Sequence, residues 1–71
     1  MRRCVVVIEP VGDNYSAYVP DLPGCVATGE TVDEALANMR TAIIVHLKGM
    51  REDGLVIPEP SSTTRYIDVA Q

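Results

Sequence analysis

The residues able to do chemistry are few in this chain, and their spacing argues against catalysis. Metal-dependent cleavage of a phosphodiester needs several carboxylates converging on metal ions, one of them near the middle of a central strand. The apolar run Cys4-Val5-Val6-Val7-Ile8 carries no such group, and Glu9 stands only at its end. Asp21 lies in a proline-rich stretch with no paired carboxylate, and Asp21 with Glu30 makes a poor acid–base pair. His46 is the only histidine. A nucleophile–base pair would need Cys4 or Cys25 beside it, but its position within a helical apolar stripe suits a partly buried histidine bonded to backbone or water. Cys4, Cys25 and His46 lack the paired spacing of a metal site. Gly12, Gly24 and Gly29 form no phosphate-binding loop. Tyr15 and Tyr18 have no adjacent basic residue and Tyr66 has only Arg65, so the three fit sheet packing better than base stacking. No catalytic residue, cofactor or metal is expected, and the chain is read as a non-enzyme.

The most distinctive stretch is Tyr18-Val19-Pro20-Asp21-Leu22-Pro23-Gly24-Cys25. Proline sets its own φ and biases the residue before it toward extended geometry, while glycine tolerates positive φ, so the stretch reads as a rigid turn between two extended segments. Such a turn holds apolar Leu22 and the Asp21 carboxylate in a fixed pose at low entropic cost, which suits recognition. It equally suits the closing of a small sheet. Directly after it, Thr28-Gly29-Glu30-Thr31-Val32-Asp33-Glu34-Ala35 reads as a helix start. Thr31 as N-cap and Glu34 three residues on form a capping box: the Thr31 hydroxyl accepts from the Glu34 N–H, and the Glu34 side chain returns to the Thr31 N–H.

The elements that position these residues follow from pattern. Arg3–Glu9 is rich in β-branched residues and reads as a strand, central in a sheet or buried on both faces. Pro10–Asn14 is a turn by composition. Tyr15–Val19 alternates, with Tyr15, Ala17 and Val19 on one face, so the first two strands make an antiparallel hairpin. Cys25–Thr28 is a third short strand. Val32, Leu36, Met39, Ile43, Leu47 and Met50 then recur at spacings of three and four in a helix from Val32 to about Asp53. Asp33 and Glu34 complement its N-terminal dipole, and Gly54 ends it. Ile44 and Val45 fall off the stripe, so at least one should be exposed or meet another subunit. Leu55–Pro60 is an extended arm, Ser61–Thr63 a loop. Thr64–Val69 alternates again as a fourth strand, at a sheet edge or lent to a neighbour, which puts Tyr66 and Ile67 with Ile44 and Val45 as candidates for an oligomer interface. The expected architecture is one α+β domain over residues 1–71, β-β-β-α-β, with one helix packed on a mainly antiparallel sheet.

Composition narrows the function classes. Seventy-one residues without Trp or Phe, and with two cysteines, bury a marginal core, so a homo-dimer or higher assembly is the expected stabiliser. The charge is −4 and the pI about 4.6. An acidic chain lacks the counterion-release drive for autonomous nucleic-acid binding, and it suits a basic partner. The run at Met1–Ile8 mimics a signal-peptide start, but Glu9-Pro10 cuts it short, and no stretch approaches a membrane span or a basic amphipathic face. A cytoplasmic protein with reduced cysteines is expected.

These residues also resemble a known family. Tyr18 with Pro20-Asp21-Leu22-Pro23-Gly24-Cys25, then Thr28-Gly29, Thr31 and Glu34-Ala35, and further on His46-Leu47, Gly54 and Ile57-Pro58 with Pro60, are similar to the HicB-like antitoxins over nearly the whole chain, from about residue 4 to residue 69. The resemblance implies a truncated ribonuclease-H-like fold and a role as the antitoxin of a type II toxin–antitoxin pair. The implied partner is a small basic HicA-like toxin that cleaves messenger RNA, held inactive by steric and electrostatic masking. Tyr18, Pro20, Asp21, Leu22, Pro23 and Gly24 match the family motif as candidate partner-binding positions; Thr31, Glu34 and Ala35 set the helix. The form expected from the resemblance is the short one, without the added DNA-binding segment of members that repress their own operon. The alternative is a stand-alone oligomeric module that binds a protein or ligand and has no toxin partner.

Overall fold

The computed structural model describes residues 2–71. Strands β1 (Val7–Val11), β2 (Asn14–Tyr18) and β3 (Val26–Gly29) precede a single helix, α1 (Val32–Glu52). The sheet is antiparallel in the order β1-β2-β3, so the class is α+β, with β2 central and β1 and β3 at the edges. This corrects the expectation that the first strand is central or buried on both faces. Ladder pairing begins only at Val7↔Tyr18 and runs on through Pro10 and Val11. An edge strand accommodates Pro10, whose missing N–H can face away from the ladder. The turn shrinks accordingly to Gly12-Asp13, with Gly12 at φ +58, where a two-residue hairpin loop favours glycine.

The register explains how the helix packs. Ile8, Ala17 and Ala27 stand opposite one another across the sheet, and Tyr15 stands opposite Gly29. Under the helix the central and third strands carry small residues, Ala17, Ala27 and Gly29, and α1 lies chiefly on β3 and β2. The core consists of Ala17, Val19, Leu22, Cys25, Ala35, Met39 and Leu47. Met39, fully buried, sits at its centre with its sulfur 3.9 Å from that of Cys25. Of the expected stripe, Met39 and Leu47 are buried and Ile43 and Met50 pack against the core, while Val32 and Leu36 stay exposed.

Both helix ends follow local chemistry. Thr31 has extended N-cap geometry, and its hydroxyl accepts from the Glu34 N–H at 3.0 Å. The return bond differs from expectation by one residue: the Glu34 carboxylate accepts from the Glu30 N–H at 3.2 Å. At the other end Asp53 is the C-cap, and Gly54 (φ +68) follows it. The Gly54 N–H donates to the Arg51 carbonyl and the Leu55 N–H to the Met50 carbonyl, which is a Schellman motif.

The expected fourth strand is absent. Residues 64–69 form no ladder, and Tyr66, Ile67 and Val69 are almost wholly exposed. Strand pattern alone cannot make a strand; it needs a free edge within reach. In one copy the preceding residues are tied down elsewhere.

Candidate functional site

The stretch between β2 and β3 is built from two successive tight turns. The Leu22 N–H donates to the Val19 carbonyl at 3.1 Å, and the Cys25 N–H to the Leu22 carbonyl at 3.1 Å. Pro20 and Pro23 occupy the second position of each turn, where their fixed φ belongs. Gly24 follows Pro23 at φ +83, the conformation a type II turn requires there. A longer bond from the Val19 N–H to the Cys25 carbonyl (3.4 Å) closes the base.

The candidate residues of this turn separate into three settings. Tyr18 is 41% exposed on the sheet face away from the helix, and Pro20, Pro23 and Gly24 are exposed at the tip. Leu22 is only 2% exposed and packs into the core between Val19 and Cys25, so it supports the turn from below and offers no surface. Asp21 is half-buried and engaged within the chain. Its carboxylate accepts from the Ser62 hydroxyl at 2.9 Å, the Ser61 hydroxyl at 3.2 Å and the Ser62 N–H at 3.2 and 3.3 Å. The Ser62 hydroxyl does most to hold the Asp21 carboxyl below its ordinary value, with burial opposing it.

Residues 55–62 thus form a strap that joins the core to the turn. Ile57 packs against the core, Arg2 donates through Nη1 to the Pro58 carbonyl at 2.6 Å, and Ser61 and Ser62 close on Asp21. Ser61 and Ser62 read as plain loop in the sequence. Their only signal was a run of four hydroxyl residues, Ser61 to Thr64, after the rigid Pro58–Pro60 pair, and nothing local names a carboxylate forty residues away as their partner. The oligomer candidates lie apart from this turn: Ile44 and Val45 are 60% and 64% exposed on α1, and Tyr66 and Ile67 project from the tail.

Other reactive groups are dispersed. Cys4 is half-buried and Cys25 buried, both as free thiols. Burial, and secondarily the neighbouring Cys4, pushes the Cys25 thiol up. His46 is half-buried on α1. Among the described residues, no three His, Cys, Asp or Glu side chains are placed to hold a metal ion, and no helix is long and apolar enough to cross a membrane.

Comparison with known proteins places this arrangement. The profile of a family described as HicB-like antitoxin of bacterial toxin–antitoxin system matches residues 4–71. An uncharacterised 14.9 kDa protein of Haemophilus phage HP1 is 41% identical over 63 residues, covering 89% of this chain; the chain spans about half that relative's length, 47%. The crystal structure of the N-terminal domain of Burkholderia pseudomallei antitoxin HicB superposes with a TM-score of 0.70 at 36% identity, covering 82% of this chain and 69% of that one. A chain of the HicA3 and HicB3 toxin–antitoxin complex shares the fold, with a TM-score of 0.69 at 24% identity over 83% of this chain and 72% of that one.

Proposed function

We propose, for a chain that belongs to the HicB-like antitoxin family, that it binds a small basic HicA-like toxin and masks the surface with which that toxin cleaves messenger RNA. The family match across residues 4–71 is the observation that carries this reading. The geometry supplies the means. A turn fixed by two prolines and a positive-φ glycine presents Tyr18, Pro20, Pro23 and Gly24 without an ordering cost on binding, while Leu22 anchors it in the core and Asp21 locks it to the strap. Masking is steric and electrostatic. A net charge of −4 on a chain of 71 residues steers encounter with a basic partner, so association should slow as salt rises. The antitoxin acts by covering the partner and contributes no chemistry of its own.

The test is co-expression with the product of the adjacent open reading frame. Relief of that product's toxicity and co-purification of the pair support the reading. Tyr18→Ala and Pro23→Ala should weaken the complex, while Thr41→Ala, on the exposed helix surface, should not. Failure of the wild-type chain either to bind or to relieve toxicity sinks the assignment.

A further inference from the structure

The sheet face turned away from α1 is ordered into two parts. Ile8, Ala17 and Ala27 face the helix, so alternation sends Val7, Tyr18 and Val26 to the other side. The register sets Val7 beside Tyr18 and Tyr18 beside Val26. Val26 is 64% exposed, Tyr18 is exposed and Val7 is half-buried. Scattered surface aliphatics need no explanation, but three apolar side chains in register across adjoining strands form one continuous patch, and such patches mark protein contacts. The proline turn adjoins this row, with Pro20, Pro23 and Gly24 exposed. The next row on the same face is polar, with Glu9 beside Ser16 and Ser16 beside Thr28. Beyond it, at the hairpin end, Asp13 and Glu30 are exposed.

Charge along the chain is as uneven. Residues 4–39 contain no Lys or Arg, and they carry Glu9, Asp13, Asp21, Glu30, Asp33 and Glu34. This segment is therefore more negative than the whole chain, whose formal charge is −4. The cations fall elsewhere: Arg2, Arg3 and Arg40 gather around a groove between the start of the chain and α1, on the helix side of the sheet. Lys48 and Arg51 follow on α1, and Arg65 lies in the tail. Asp21 is committed to the strap, which leaves Glu9, Asp13 and Glu30 beside the outer face. An apolar row next to a field of one sign fits a partner whose cations flank an apolar centre.

We propose that the toxin docks on this outer sheet face, with Val7, Tyr18 and Val26 as the desolvated centre and Glu9, Asp13 and Glu30 as the carboxylates that receive its lysines and arginines. The inference rests on the antitoxin reading above and relocates the contact: Tyr18 lies at its middle, and the proline turn becomes its margin. A protein that handles RNA phosphates must present cations, so a cover for that surface needs carboxylates as well as apolar area. The sheet supplies both on a rigid platform, the apolar row for affinity and the acidic end for steering.

The test titrates the purified chain against the product of the adjacent open reading frame, by calorimetry for affinity and stopped flow for association rate. Val26→Lys sets a cation in the apolar row of an edge strand and should weaken the complex roughly tenfold or more, with circular dichroism unchanged. Glu9→Gln, Asp13→Asn and Glu30→Gln together keep the shape of the face; they should slow association and flatten its salt dependence. Glu52→Gln, Glu59→Gln and Asp68→Asn remove the same charge away from the sheet and should do much less. If Val26→Lys fails to fold, the two charge variants decide alone. Equal effects from those two variants, or wild-type affinity in folded Val26→Lys, overturn the docking face and leave the antitoxin reading standing. A Val26→Lys chain that binds the partner normally but sediments at lower mass than wild type assigns the face to a second copy, and also overturns the proposal. A wild-type chain that binds no such partner sinks the antitoxin reading and the docking face with it.

Discussion

Gly29→Ala is the sharpest test of how helix and sheet are joined. Gly29 ends β3, and a Cβ built on it would lie 2.5 Å from the Ala35 nitrogen, 2.9 Å from Ala35 Cα and 2.9 Å from the Glu34 carbonyl carbon. Non-bonded heavy atoms rest at about 3.5–4.0 Å, so roughly 1 Å of movement is required. All three obstructing atoms are main chain, in the first turn of α1, and no change of rotamer can clear them. Two effects then compete. Removing a glycine narrows the unfolded ensemble and stabilises by about 0.4–1 kcal/mol where the native geometry accepts it. Overpacking costs about 1–3 kcal/mol, and here the rigid obstacle puts it at the upper end. The overpacking wins, for a net loss of about 2 kcal/mol. In a domain this small each kcal/mol shifts the midpoint by about 4–8 °C, so Tm should fall by about 10 °C. Thermal unfolding followed by far-UV circular dichroism, at one fixed protein concentration, measures it. Adding Ala35→Gly should recover nothing, because the clash is with backbone. A variant as stable as wild type, or rescued by the second change, would refute the reasoning.

Three further outcomes follow from named contacts. Thr31→Ala removes the acceptor of the Glu34 N–H and should cost about 1 kcal/mol in chemical denaturation; a change within error would show that the cap contributes nothing here. The Asp21 carboxyl is held below its ordinary value near 3.8, so the strap's contribution is fully present above that value and is lost as pH falls through the lower folded one. The protection factor of the Ser62 amide should fall across that acid window and should already be low at neutral pH in Asp21→Ala; protection that persists in this variant would mean that the carboxylate does not hold the strap. Cys25 is 3% exposed with its thiol pushed up by burial, so iodoacetamide should reach it only on unfolding; rapid modification in the folded protein would contradict the packing against Met39.

Much of the fold was legible because its instructions are local. Alternation put Tyr15, Ala17 and Val19 on one face, the face that packs on the core in the structure, and the prolines with Gly24 specified the double turn. Thr31, Glu34 and Gly54 marked the helix ends to within a residue, since a cap depends on groups three or four positions away. The family, too, was visible in the run Pro20–Cys25. The misses have a common cause. Whether Arg3–Val6 and Thr64–Val69 become strands depends on a second edge to pair with, which no local pattern contains.

The chain's order of residues by itself determined the hairpin, the rigid turn, the capped helix and the acidic, HicB-like character of the whole. Only the tertiary structure decided that Leu22 supports the turn from the core, that Asp21 serves the strap through Ser61 and Ser62, and that Gly29 admits the helix. Those outcomes rest on contacts between residues far apart in sequence, where burial and close approach are set by how the elements dock.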